Sequence, residues 1–461
     1  MLDKITYYFK KEGIFLAISA LIISVFLNYH LAVIFIPIVV IYSYYKIIRE
    51  NDFTFVLVLM LLARTIMGLV VPKNDLSFNL FNIIVNYLPF LIYIIKNLRL
   101  DKILIISNIK TIKFTFIYAL ALIILSLINV KVSYTEWPEE VFPILMFVLL
   151  FSQIKPKDLK IDLDVLVKFF RYTFTVAIGL YLLSNFDDLQ RFPLLDGVIF
   201  RDPIIEISTT ISKVLIRNMG YVFDFRILGQ IAILYYLIVF FLKKRFNLFD
   251  VLLITSIVLT TYSRGPLIIF CLVLIPTFLK RGNYRVKNLK YLAIIIPILF
   301  FRVFNPHNPG GMGDTDYLNS FDLTAENNAL SQRSKFMEYS FDKFLEKPMG
   351  RGIGALSSRN AGVKIDFGYR DKEKKHRLFY YKVGDAYYTL SLAEKGILGT
   401  ILFFLSCFEI YFNRKYLMSF FVSAGFAINM IGTDIPKEGF FYFVLIVVIF
   451  QLNKKADEII N

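Results

Sequence analysis

Polar breaks divide the chain into about fourteen apolar runs, and this pattern constrains the fold more tightly than any single motif. A run of roughly 20 apolar residues spans the hydrocarbon core of a bilayer, with fewer needed where charged residues trim its ends. The first seven runs extend from Gly13 to Leu27, Leu31 to Tyr45, Phe53 to Val71, Phe78 to Ile95, Ile112 to Val130, Val141 to Ile154 and Val165 to Leu183. Seven more extend from Ile227 to Leu242, Phe249 to Ser263, Gly265 to Leu279, Leu289 to Phe304, Ala386 to Phe412, Tyr416 to Gly432 and Gly439 to Leu452. A chain of 461 residues that is 57% hydrophobic and only 19% charged has more apolar surface than a water-soluble core of ordinary proportions can bury. The expected fold class is therefore all-α: a polytopic membrane helical bundle of about 14 transmembrane helices, with a large extracytoplasmic loop carrying helical segments.

A formal charge of +16 on a soluble protein would point to nucleic acid, but here its distribution follows the positive-inside rule and no nucleic-acid partner is expected. One set of loops holds Lys4, Lys10 and Lys11; Lys46 and Arg49; Lys96, Arg99, Lys102, Lys110 and Lys113; and Lys155, Lys157 and Lys160. The same set continues with Lys243, Lys244 and Arg245; Lys280, Arg281, Arg285, Lys287 and Lys290; Arg414 and Lys415; and Lys454 and Lys455. The opposite short loops hold little beyond Lys73, Lys131, Arg264 and Lys437. Both termini are thus expected in the cytoplasm, with an even number of crossings. The first helix lacks a small-residue cleavage pattern and is read as retained. Cys271 and Cys407 lie inside apolar runs, where a thiol acts as a small apolar group.

This reading divides the chain into transmembrane helices in residues 1–183, a first long outer loop at 184–226, helices in 227–304, a large outer loop at 305–385, and the last helices with a cytoplasmic tail at 386–461. Loops of this length are functional or disordered rather than mere connectors. The large loop opens on turn residues, Asn305-Pro306-His307-Asn308-Pro309-Gly310-Gly311. It then offers a helix from Thr324 to Leu345, ended by Pro348 and Gly350, with an apolar face suited equally to lying across the outer ends of the bundle or to packing within the loop itself.

Lysine dominates the cytoplasmic loops, whereas Arg191, Arg201, Arg217, Arg226, Arg264, Arg302, Arg333, Arg351, Arg359, Arg370 and Arg377 all fall outside. A planar guanidinium bonds phosphate in bidentate fashion, so this asymmetry fits a phosphate-bearing ligand on the outer face; lipid headgroups and outer carboxylates are the alternative partners. Arg264 is the sharpest position. A cation between two apolar runs costs roughly 3 kcal/mol at a helix centre and needs water, a carboxylate or a phosphate. The following Gly265-Pro266 suits the start of a helix, whose N-terminus itself attracts anions. Arg217-Asn218-Met219-Gly220 and Arg226 precede the eighth apolar run and are candidates to join Arg264 at one diphosphate. Arg302 and Arg333 are further candidates, with snorkelling to the interface as their plainer role.

Gly384-Asp385-Ala386-Tyr387-Tyr388 opens the twelfth run. Asp385 serves equally well as a general base or as a helix N-cap. Glu394, further along the same helix, is better read as structural. Asp314-Thr315-Asp316 and Asp162-Leu163-Asp164 mimic the acidic pair of nucleotide-sugar transferases, but the first lies outside and the second is a solvated connector. His30, His307 and His376 lack metal-ligand spacing, and no Gly-rich nucleotide loop is present. The charged run from Arg370 to Arg377 reads as a solvated loop tip.

Four elements occur in a telling order: Arg217 to Gly220 before an apolar helix; Ser263-Arg264-Gly265 after one; an outer loop with Arg333 and Glu346-Lys347-Pro348-Met349-Gly350-Arg351-Gly352-Ile353-Gly354; and the segment from Asp385 to Gly399. Together they resemble the O-antigen polymerase and ligase family over roughly residues 210–405. The resemblance implies a membrane glycosyltransferase that moves glycan from an undecaprenyl diphosphate carrier and uses no metal, nucleotide or other cofactor. It implies that Asp385, Arg264 and Arg217 are catalytic and that Arg226, Arg302, Arg333 and Tyr388 bind the diphosphate or glycan. Ligases usually show histidine where this chain has Asp385, so the polymerase branch fits better, with a ligase or a lipid-linked oligosaccharide flippase as alternatives. Expected partners are the undecaprenyl-diphosphate-linked glycan and membrane lipids, with a chain-length regulator and a flippase of the same pathway as further candidates.

Overall fold

A computed structural model describes residues 2–27, 29–70, 83–98, 101–130, 136–184, 225–243, 248–261, 264–279, 329–358, 363, 365–370, 377–380, 387–412, 417–430 and 439–460. These residues are overwhelmingly helical. In chain order the helices are α1 (Leu2–Leu27), α2 (Tyr29–Glu50), α3 (Thr54–Val70), α4 (Leu88–Lys96), α5 (Lys102–Thr111), α6 (Lys113–Ile128), α7 (Phe142–Gln153) and α8 (Leu163–Ser184). They continue with α9 (Phe225–Lys243), α10 (Leu248–Thr260), α11 (Arg264–Leu279), α12 (Ala329–Glu346), α13 (Tyr387–Tyr411), α14 (Leu417–Met430) and α15 (Gly439–Ile460). Thirteen of the fourteen apolar runs coincide with helix; the run from Leu289 to Phe304 lies outside the described residues.

Among the described residues one helix, α13, is by itself long and apolar enough to cross a membrane, and the pair α5–α6 passes together across a bend of 91°. Other apolar stretches, such as Glu12–Ser24, Thr54–Ala63 and Ile227–Val239, are shorter. The helix expected in the large loop is α12, described from Ala329 onward; residues 324–328 lie outside the described residues. Between α12 and α13 an antiparallel hairpin pairs β1 (Ile365–Arg370) with β2 (Arg377–Tyr380), with Arg370 opposite Arg377. The charged run that reads as a loop tip thus begins and ends on paired strands, and its central residues 371–376 lie outside the described residues.

The chain forms two compact units that interleave along the sequence. One comprises Met1–Leu98, Lys157–Phe270 and Phe278–Gly311; the other comprises Arg99–Pro156, Cys271–Thr277 and Met312–Asn461. In the first, α2 packs against α1, α3 and α4, and α8 packs against α1, α3, α9 and α10. In the second, α13 is the hub and touches α6, α12, α14 and α15.

Helix ends are fixed by side chains that replace missing backbone partners. Asp52 accepts the Thr54 amide at the start of α3, and Asp162 accepts the amides of Asp164 and Val165 at the start of α8. The Asp162-Leu163-Asp164 sequence therefore supplies an N-cap, which explains an acidic pair on a connector without invoking a metal. Glu409 of α13 accepts the Phe114 and Thr115 amides at 3.2 and 2.9 Å, capping α6 just after the bend at Ile112. Asn453 of α15 donates to the Ile410 and Tyr411 carbonyls at 3.0 and 3.1 Å and so closes the C-terminal end of α13. Two π-helical turns, Ile83–Tyr87 and Trp137–Val141, run into helices whose second residue is proline, Pro89 and Pro143. The wider turn makes room where a proline ring meets the preceding turn.

In the first unit, Arg171 of α8 holds Asp250 of α10 with two bonds of 2.7 Å, and the Tyr235 hydroxyl of α9 donates to the same carboxylate at 2.6 Å. Asp250 is fully buried, so three helices share one desolvated carboxylate. Removing one partner of such a pair leaves the other charge uncompensated. We expect Asp250→Ala to lose about 3 kcal/mol of stability, with Asp250→Asn, which keeps a polar group for Tyr235, losing less. Thermal unfolding of the purified protein in detergent measures both; equal stability of all three proteins would show the pair to be incidental.

Candidate functional site

The two motifs between Glu346 and Gly399 are stitched together in the second unit by a break in α13. Gly396 adopts φ 68° and ψ −178°, a region essentially restricted to glycine, and divides α13 into two half-helices. In an unbroken helix the carbonyls of Ala393 and Glu394 would accept from the amides of residues 397 and 398. Here they accept from Arg351 at 3.1 Å and Gly352 at 2.9 Å, while the Ile397 amide donates to Pro348 at 3.1 Å. The loop after α12 thus supplies the bonds that the break removes. The approach is close: a Cβ on Gly396 would stand 2.3 Å from the Met349 carbonyl carbon, and one on Gly350 would stand 2.7 Å from the Glu394 oxygen.

The residues beside the break are charged and buried. The Glu394 carboxylate accepts the Leu356 and Ser357 amides at 2.8 Å each, tying the glycine-rich loop to α13. Lys395 turns the other way and forms an ion pair with Glu140 at 3.0 Å, donating also to the hydroxyls of Tyr387 at 2.8 Å and Tyr118 at 3.3 Å. Its ammonium stands 4.7 Å from the Tyr387 ring centre and 5.7 Å from that of Phe403, within cation–π range. Lys395 and Glu140 are 2% and 4% exposed, so this pair is maintained only because every donor has an acceptor. The sequence reading did not single out Lys395 or Glu140. The signal was present: a lysine inside an apolar run needs a partner, and Glu136 to Glu140 places acids at the start of another run.

The other expected site residues take different places. Tyr388 is half-buried; its ring stacks on Phe404 at 5.4 Å and its hydroxyl donates to the Ala427 carbonyl of α14 at 2.5 Å. Arg333 lies on α12, Arg226 is the second residue of α9, and Arg264 is the first residue of α11. Arg217, Arg302 and Asp385 lie outside the described residues. Arg351 is held by Glu346, with its Nε donating to the Lys343 carbonyl at 3.2 Å. Hydrogen bonding from Lys343, with Arg351 adding its charge, holds the exposed Glu346 carboxyl below its ordinary pKa.

In the first unit, the beginnings of α9 and α11 adjoin. A Cβ on Gly229 would stand 2.6 Å from the Pro266 Cβ, so the Pro266 ring packs on α9 as closely as glycine permits. Arg226 lies one turn before Gly229, and Arg264 lies two residues before Pro266. Two arginine-bearing helix N-termini therefore meet, an arrangement whose dipoles and amide donors favour an anion. Gln230, beside Gly229, is 2% exposed, and its Oε1 has no hydrogen-bond partner among the described residues. Among the described residues no group of three or more His, Cys, Asp or Glu is placed to hold a metal ion.

The break makes a prediction. Gly396→Ala places a Cβ into backbone and should lower stability by more than about 2 kcal/mol. Gly179→Ala, at a helical position with nothing within 4 Å, serves as the control and should be neutral or stabilising. Melting curves of the two variants beside the parent protein decide it; equal losses would remove the special role of the break. Comparison with protein-family models, with curated proteins and with solved structures found no match.

Proposed function

We propose that the protein is a bacterial cell-surface polysaccharide polymerase, a multi-pass enzyme of the cytoplasmic membrane with about fourteen spans, both termini in the cytoplasm and its site on the outer face. It joins oligosaccharide repeat units carried on undecaprenyl diphosphate. The observation that carries this reading is the close packing of Pro266 of α11 on Gly229 of α9, near the ends at which these helices carry Arg264 and Arg226. Loop charges assign both helix starts to the outer side, where a lipid-linked diphosphate presents its headgroup. A second support is the joining of the glycine-rich loop to α13, since these two segments carry much of the resemblance to the O-antigen polymerase and ligase family.

In this reading a sugar hydroxyl of one lipid-linked unit attacks the anomeric carbon of a second glycan, the bond to its diphosphate breaks, and undecaprenyl diphosphate leaves with the electron pair. Arg217, Arg226 and Arg264 neutralise the charge on the departing diphosphate, with Arg302 and Arg333 along the glycan path. Asp385, two residues before α13, takes the hydroxyl proton or orients the acceptor. Tyr388 acts through its hydroxyl bond to α14, holding the start of α13 in place.

Donors aimed at developing charge are each worth on the order of 3 kcal/mol, about a hundredfold in rate. Arg264→Ala should leave the protein in the membrane while cells accumulate single repeat units; near-normal chain lengths would overturn the assignment. Asp385→Asn should abolish polymer without loss of protein, and an active variant would make Asp385 a helix cap only.

One observation favours a second reading. Broken membrane helices also serve transporters, where half-helix ends face a substrate. Reconstituting the purified protein with its lipid-linked repeat unit, without nucleotide or metal, separates the readings. A ladder of glycan lengths supports the polymerase, whereas unchanged units that appear in the opposite leaflet support a flippase and transfer only to an added acceptor supports a ligase.

A further inference from the structure

We propose that the last two turns of α12 are seated in the outer boundary of the bilayer, with Phe341, Leu345 and Met349 against lipid acyl chains. This goes beyond the catalytic reading and rests on only one part of it, that α13 crosses the membrane.

The exposed face of α12 changes character along its length. Ser334 and Glu338 occupy it in the first half; in the second, Phe341 and Leu345 occupy it beside the exposed Asp342, and Met349 follows, with Phe341, Leu345 and Met349 at 46%, 59% and 64% exposure. Spacings of three and four residues keep the positions from Ser334 to Leu345 on one side of α12, and Met349 lies in the turn that follows it. The opposite side is already used, because Phe336 packs with Leu356, Val363, Leu390 and Ala393, and Met337, Tyr339 and Phe344 close over them. The apolar stripe is therefore not the face that holds α12 to α13. Of the two acids beside it, Glu346 is bonded within the protein to Lys343 and to Arg351, and in the proposed seating Asp342 reaches the headgroup region.

Continuity with α13 identifies what covers the stripe. Pro348 accepts the Ile397 amide, and the Met349 backbone lies against Gly396. Before the break α13 exposes no large apolar side chain; from Ile397 onward it exposes Ile397, Leu398, Ile401, Phe404 and Phe408. One apolar surface thus runs from Phe341 through Met349 onto the outward face of α13, the helix with the length and apolarity of a membrane span. From Ile397 to Tyr411 that face rises only roughly 22 Å at about 1.5 Å per residue. The hydrocarbon core is roughly 30 Å thick, which leaves a shortfall. The end of α12 lies at the break, where acyl chains reaching past Ile397 would otherwise meet polar backbone. Lipid that covers α13 must cover the stripe as well.

The test uses the full chain in nanodiscs and compares lipid carrying bromine on its acyl chains with unbrominated lipid. Tryptophan is introduced by Leu345→Trp, Phe404→Trp or Glu338→Trp, with the unsubstituted protein giving the background of its single Trp137. The proposal expects Leu345→Trp and Phe404→Trp to lose most of their added emission in brominated lipid, and Glu338→Trp to keep it. Quenching at Phe404→Trp but not at Leu345→Trp overturns the seating of α12 while leaving the membrane crossing of α13 intact. Quenching at neither overturns both, and equal quenching at Glu338→Trp overturns the change of character along α12. The measurement reads no glycan chemistry, so it is independent of whether the chain polymerises.

Discussion

The second unit depends on backbone carbonyls that a buried break in a helix cannot leave bare. Breaking α13 at Gly396 removes helical bonds at Ala393 and Glu394, and in a low-dielectric setting each unpaired group costs several kcal/mol. The amides of Arg351 and Gly352 and the carbonyl of Pro348 restore them, which is possible only because Gly350 and Gly396 have no side chains to hold the strands apart. Fixing the loop in this way also fixes α12, through the core formed by Phe336, Leu356, Leu390 and Ala393. The start of α13 is then a short half-helix with its own N-terminus, anchored by Lys395 on Glu140.

Buried charge plays the same part in both units, as a constraint that accepts one arrangement of helices. Arg171, Asp250 and Tyr235 bind α8, α9 and α10 to one another; Lys395, Glu140, Tyr118 and Tyr387 bind α13 to α6 and to the turn before α7. Apolar helices slide past each other at little cost, since one leucine replaces another. A desolvated ion pair does not slide, because any displacement leaves a charge without its partner. Such pairs select a register more than they add net stability.

Helix positions were legible because hydropathy is a local property. The runs from Val165 to Leu183 and from Ile227 to Leu242 correspond to α8 and α9 within about two residues at each end. The bend at Ile112 was not legible: Lys102 to Thr111 reads as part of a charged loop, whereas its helix is held to α7 by Asn108 on the Ser152 carbonyl, and Glu409, nearly three hundred residues away, caps the start of α6. The strands Ile365–Arg370 and Arg377–Tyr380 were hidden for a similar reason, since their charged neighbours mask the short pairing segments. Of the expected site, Arg264 at a helix start and Glu394 in a structural role were readable from local chemistry, whereas the pairing of Lys395 with Glu140 joins residues 255 positions apart.

The sequence by itself determined the helical class and the placement of nearly every described helix, because each follows from the polarity of neighbouring residues. Tertiary structure alone decided that the glycine-rich loop completes a broken helix, that two arginine-bearing helix starts meet across Gly229 and Pro266, and that three buried acids each have a defined set of donors. These are matters of distance between segments far apart in the chain. No local pattern specifies them, since burial and backbone satisfaction are imposed by whatever the folded chain brings alongside.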